Sequence, residues 1–108
     1  MDMLEKITTI LENKKAMDIK TVEVKEKTTL TDYFVIVSGT SNTHVKALAD
    51  NVEYELKKEQ IVPNKVEGYQ TGTWILMDYG KVIIHIFTAE VREKYNLEDL
   101  WEKAKNME

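Results

Sequence analysis

Apolar residues along this chain recur with two different periods. Met3, Leu4, Ile7, Ile10 and Leu11 fall at helical spacing, and so do Val45, Leu48, Ala49, Val52 and Leu56. Each set lays one apolar stripe along a helix. The spacing predicts a first helix over 2–15 and a second ending near Glu59, ahead of the single proline, Pro63. Ser41 is placed to cap the second, because its hydroxyl can accept from an amide that the first turn leaves unpaired. A third stripe, Leu97, Leu100, Trp101 and Ala104, predicts a C-terminal helix. Asn96 would cap it, and Glu98 and Asp99 would sit where the helix dipole favours acids.

The segments between these helices read as strands. Thr21-Val-Glu-Val-Lys25 alternates, as a strand with one wet face does, and the AMDIK before it reads as a link. Asp32–Ser38 is continuously apolar and β-branched, which suits a central strand covered on both sides. A short strand is expected around Lys65-Val-Glu67. The order is therefore helix, two strands, helix, two or three strands, helix. A strand–helix–strand unit implies some parallel pairing. The fold class expected is α/β (α+β): a mixed sheet of about five strands with helices packed on it.

The stretch Thr73–Phe87, TWILMDYGKVIIHIF, reads as a hairpin turning at Asp78–Lys81, with Gly80 free to take a positive φ. If Met77 faces Val82 across a four-residue loop, Thr73, Ile75, Met77, Val82, Ile84 and Ile86 share one face. Trp74, Leu76, Ile83, His85 and Phe87 then share the other. A three-residue loop would mix these sets. Both faces are largely apolar in either case. One can pack on the helices; the other is either roofed by another helix or offered to a partner. Under the first alternative Trp74 and His85 are core residues. Under the second, a Trp burying ~150–250 Å² at ~25 cal/mol per Å² contributes several kcal/mol before ordering costs. A few such anchors dominate a small interface.

Composition narrows the choice of partner. The 108 residues suit one domain, 1–108, and contain no cysteine, which removes disulfides and thiolate chemistry. No apolar run approaches the roughly 20 residues that span a bilayer, and the N-terminus lacks a signal-peptide pattern. A cytoplasmic protein is expected. The formal charge of −4 argues against binding driven by phosphate contacts and suits a basic protein partner.

Catalytic signals are weak. Ser38-Gly-Thr-Ser-Asn42 has one glycine and no following lysine, unlike a phosphate-cradling loop. A nucleotidyltransferase needs a Gly-Ser turn and paired strand carboxylates to hold metal; here Ser38-Gly39 is reversed. Glu53 and Glu55 fall on a helix and point to different sides. His44 and His85 have no carboxylates at ligand spacing, and Ser38 and Ser41 have no evident base. His44 is expected to face solvent and His85 to be packed in its strand. Asp32 and Asp78 border strands, where turn or capping roles are the default. Arg92 and Tyr95 could fix the corner after the last strand or face a partner. No enzyme activity, cofactor or metal is expected.

The residues now assembled resemble those of the ribosomal silencing factors, also called the Iojap-like family. The match runs through Lys14-Lys-Ala-Met-Asp-Ile19, Leu30-Thr-Asp-Tyr-Phe-Val-Ile36, Ser38-Gly-Thr-Ser41 and Glu67-Gly68. It resumes at Trp74-Ile-Leu-Met-Asp-Tyr-Gly80, His85-Ile-Phe87, Arg92, Tyr95-Asn-Leu-Glu98 and Leu100-Trp101. Any single piece is weak; the ordered set is specific. The resemblance implies a fold akin to nucleotidyltransferases without their catalytic carboxylates, and no enzymatic activity. It implies binding to the large ribosomal subunit through a ribosomal protein on the subunit-joining face. That would block joining of the subunits and repress translation when nutrients are scarce. Related proteins in mitochondria and chloroplasts act partly in subunit assembly, and homodimers are known in the family. An assembly role is the alternative reading, with a nucleotidyltransferase-like enzyme a distant third. The resemblance marks Trp74, Leu76, Asp78, His85, Phe87, Arg92 and Tyr95 as partner-binding candidates. Asp32, Gly39, Gly68, Gly80 and Trp101 are the structural ones.

Overall fold

In the computed structural model, residues 3–26, 29 and 31–95 are described. The elements are α1 (Met3–Asn13), β1 (Met17–Glu23), β2 (Tyr33–Gly39), α2 (Asn42–Lys57), β3 (Lys65–Glu67), β4 (Trp74–Asp78), β5 (Val82–Thr88) and α3 (Ala89–Tyr95). The strands make one five-stranded sheet in the order β1-β2-β5-β4-β3. Its central pair, β2 and β5, is parallel, and the other three pairs are antiparallel. The fold is thus the expected mixed α+β sheet. Its parallel pair is closed by an unusually indirect path, since α2, β3 and β4 all intervene before β5 returns beside β2.

Local chemistry sets the helix ends. The Ser41 hydroxyl accepts from the His44 amide at 3.1 Å, the cap that the sequence predicts for α2. Both long helices close with a pair of reverse bonds around a left-handed residue, Lys15 (φ 64°) after α1 and Gln60 (φ 65°) after α2. The Ala16 amide donates to the Leu11 carbonyl and the Lys15 amide to Glu12; the Ile61 and Gln60 amides do the same to Leu56 and Lys57. These bonds satisfy carbonyls that a helix end otherwise leaves open.

The main core lies between α1, α2 and one sheet face. Ile7 and Leu11 from α1, and Val45, Leu48, Val52 and Leu56 from α2, bury against Val35, Val37, Ile75, Met77, Ile84 and Ile86. A second cluster forms on the opposite face from Val24, Phe34, Ile36 and Phe87, with Val22, Trp74, Ile83 and Val91 packed against it.

Three expectations need correction. β1 starts at Met17, inside the stretch read as a link; its register shifts between Met17 and Lys20, and Asp18 has φ 50°. A bulge of this kind breaks the two-residue alternation by which strands are recognised. The corner after β5 is a short helix, α3, which carries little apolar periodicity to announce it. The hairpin register also differs. Met77 pairs with Ile84, not Val82, and the Tyr79 amide donates to the Val82 carbonyl at 2.9 Å, leaving a two-residue turn of Gly80 and Lys81. Because the slip is two residues, each side chain keeps its face. The predicted C-terminal cap and stripe (Asn96, Leu97, Glu98, Asp99, Leu100, Trp101 and Ala104) lie outside the described residues.

Candidate docking face

The register stacks the second face into cross-strand rows. One row runs Lys20, Ile36, His85, Leu76, Glu67 across all five strands. The next runs Val22, Phe34, Ile83, Asp78, Lys65, and a third holds Ser38, Phe87 and Trp74. The centre is therefore apolar and aromatic, and charge sits at the two edges. Directly opposed pairs of this kind are the unit of sheet stability.

The aromatic rings are in close contact. Trp74 and Phe87 have centroids 4.9 Å apart, and Phe34 meets His85 edge to face at 5.0 Å. His85 and Phe87 lie nearly parallel at 6.1 Å. The Trp74 indole N–H donates to His85 Nδ1 at 3.1 Å. An imidazole nitrogen that accepts carries no proton, so the ring proton sits on Nε2. Nε2 is buried and has no partner among the described residues. Burial pushes the His85 pKa down to about 4, because the charged ring would lose its hydration. The ring is accordingly neutral near pH 7. It orients Trp74 and offers no charge.

Exposure sorts the candidates. Phe87 (1% exposed) and His85 (6%) are buried in the single chain and present almost no surface. Trp74, Leu76 and Ile83 are half-buried and do present surface. Trp74 and Leu76 line a groove with Glu67 and Gly68. Gly68 is needed there, because a Cβ on it would lie 2.1 Å from the Trp74 carbonyl oxygen, and its φ is +80°. Asp78 stands at the rim, and its Oδ1 accepts from the Gly80 amide at 2.8 Å, which builds the turn; Gly80 has φ +87°.

Arg92 joins α3 to the sheet. Its Nη1 donates to Ser38 Oγ at 3.0 Å and to the Asp18 carbonyl. Tyr95 is the last residue of α3, and its side chain lies outside the described residues, as does Trp101. Asp32 acts through its backbone: it donates to the Lys81 carbonyl and accepts from Val24, joining the starts of β2 and β5 to the end of β1. Gly39 closes β2, buried against Val45.

His44 is not the free surface residue expected. Its Nδ1 accepts from the Thr40 amide at 2.9 Å and its Nε2 bonds the Lys14 carbonyl at 3.0 Å. It ties the start of α2 to the end of α1, a tertiary role with no local signature. The second face also draws on Phe34, Ile36 and Val22, whose part in it was not foreseen. Their signal was present in β2, which is apolar on both sides. Among the described residues, no three His, Asp or Glu side chains group closely enough to hold a metal ion. No helix among them is long and apolar enough to cross a membrane.

Comparison with known proteins gives a consistent result. The family model described as "Ribosomal silencing factor during starvation" matches residues 1–108. A ribosomal silencing factor of Haemophilus influenzae is 39% identical over 101 residues, covering 94% of this chain and 99% of its own. The mouse "Mitochondrial assembly of ribosomal large subunit protein 1" is 35% identical over 101 residues, 91% of this chain but 44% of the mouse protein. A crystal structure from Chromobacterium violaceum superposes with a TM-score of 0.85 at 33% identity, covering 94% of this chain and 88% of that one. The chain belongs to the ribosomal silencing factor family.

Proposed function

We propose that this protein is a stoichiometric steric blocker of ribosomal subunit joining. It docks through the second sheet face onto a ribosomal protein of the large subunit, on the surface that meets the small subunit. The observation that carries this reading is a half-buried Trp74, packed on Phe87 and bonded to His85, that borders a groove with half-buried Leu76. Aromatic anchors in a preorganised setting are what concentrate interface energy. No turnover, cofactor or membrane is involved, and nucleic acid is little touched. Inhibition follows occupancy by mass action and represses translation in the cytoplasm under nutrient limitation.

The acidic chain, at −4, associates with a basic ribosomal protein through complementary fields. Encounter therefore slows as salt rises. The direct test mixes purified subunits with saturating protein and sediments them. Subunits stay separate on this reading; normal joining at saturation refutes it. A second reading, a large-subunit assembly factor, draws support from the name of the mouse relative. Precursor subunits accumulating on deletion, with joining in vitro unaffected, would favour it.

A further inference from the structure

One wall of the groove beside Trp74 belongs to a loop. Residues 68–73 join β3 to β4 and hold no helix or strand. Gly68 lines the groove, and Trp74 follows Thr73 directly. Gly68 and Gly72 both sit at positive φ, so the loop gives up much backbone freedom when it is fixed. It closes on itself through the Gly72 amide, which donates to the Gly68 carbonyl at 3.0 Å. At its far end the Thr73 carbonyl accepts from the Thr88 amide at 3.0 Å.

The remaining ties come from α2. Asn42, Lys46 and Asp50 are spaced four residues apart and so share one side of that helix. Asn42 Nδ2 donates to the Thr71 carbonyl at 3.1 Å. The Tyr69 hydroxyl donates to Asp50 Oδ2 at 3.0 Å, and Lys46 Nζ lies 5.7 Å from the centre of the Tyr69 ring, within cation–π range. The Lys46 stem covers buried Gly72, where a Cβ would lie 2.9 Å from Lys46 Cε. Both hydrogen bonds are exposed, so each contributes little to global stability. Their effect falls on the loop.

We propose that Asn42, Lys46 and Asp50 are positioning residues for partner binding. From the helix layer they hold residues 68–73, and with them the Gly68 wall of the Trp74 groove, in the shape that the partner meets. The proposal rests on the docking reading above. A wall formed in advance spares the ordering cost that a loose loop incurs on docking. Two substitutions separate this role from support of the helix. Asn42→Asp removes the donor to Thr71 but puts an acid in the first turn of α2, where the helix dipole favours it. Asp50→Ala removes the acceptor for Tyr69 but raises helix propensity. Both favour the helix while cutting the loop free.

The test reads amide hydrogen exchange of the free protein by NMR and binding to purified large subunits by cosedimentation. In each variant the Gly72 amide exchanges about tenfold faster while the amides of β2 keep their wild-type rates. The dissociation constant rises about three- to tenfold. Asp50→Asn keeps an acceptor for the Tyr69 hydroxyl and restores both readouts. Gly72 exchange unchanged in both variants, or acceleration shared equally by β2, overturns the proposal. So does faster Gly72 exchange with unaltered binding, or a failure of Asp50→Asn to restore. A wild type that does not bind sinks the docking reading and this proposal with it; variants that bind as well as a binding wild type sink this proposal alone.

Discussion

The two faces of one sheet are built from alternate residues of the same strands, yet they end differently. On the helix side Val35, Val37, Ile75, Ile84 and Ile86 are fully buried, at 0% exposure. One position along, Ile83, Leu76 and Trp74 stay half-buried. Hydrophobicity does not separate the faces, since both are apolar. Among the described residues coverage does: α1 and α2, of 11 and 16 residues, pack on the first, and the seven-residue α3 contributes Val91 to the second. The second face also carries a polar pair, in which the Trp74 indole N–H donates to His85 Nδ1. An apolar face that the described residues cover only in part is suited to recognition, whereas a sealed one holds the fold.

The contrast can be broken most strongly from the sealed side. Ile86→Ala should lose about 3 kcal/mol of stability in urea denaturation, because it leaves a cavity where the surroundings cannot collapse. Leu76→Ala, on the half-open face, should lose about 1 kcal/mol or less. Equal losses would erase the distinction.

Acid should act on the second face almost as strongly. Above the ordinary histidine pKa of 6.5 both folded and unfolded chains hold His85 neutral. As pH falls, the unfolded chain takes up the proton first, since the folded ring resists until about 4. Its contribution is thus complete above 6.5 and lost between 6.5 and 4, on the order of 3 kcal/mol. Carboxylates titrate in the same window. The readout is therefore the difference between wild type and His85→Phe, whose stability should fall less on acidification. Parallel pH curves would contradict the burial of His85.

Trp74→Phe keeps a ring over Phe87 but removes the indole N–H, leaving His85 Nδ1 without its donor. It should cost about 1 kcal/mol, a few degrees in Tm. Ser41→Ala, away from both faces, should cost about 1 kcal/mol or less through the lost cap of α2, and leave partner binding unchanged.

How much of this was legible in the sequence depends on the range of the interaction. Period-based features came through: α1, α2 and its Ser41 cap, β2, the short β3, and the two-sided hairpin. The face assignment held although the pairing did not, because parity survives a slip of two. What was missed lacked a periodic signal. The bulge hid the first half of β1. In α3, Val91 is the one apolar side chain among the described residues that packs on the sheet, though its residues are good helix formers and Thr88 Oγ1 accepts from the Val91 amide at 3.4 Å. His44 bonds a carbonyl 30 residues away, and Arg92 reaches Ser38 across 54. No local pattern encodes contacts that distant. The second apolar face of the hairpin was legible as alternating residues, and which of them keep surface (Trp74 and Leu76) and which are buried (His85 and Phe87) required the fold.

The account rests on the second face being the surface that grips the ribosome. The most direct measurement is cosedimentation with purified large subunits of Trp74→Ala and Leu76→Ala, each checked for folding, beside Tyr54→Ala, which alters an exposed residue of α2. The two sheet-face variants should stay folded and lose binding, while Tyr54→Ala binds as the wild type does. Full binding by both sheet-face variants, or loss only with Tyr54→Ala, would contradict it.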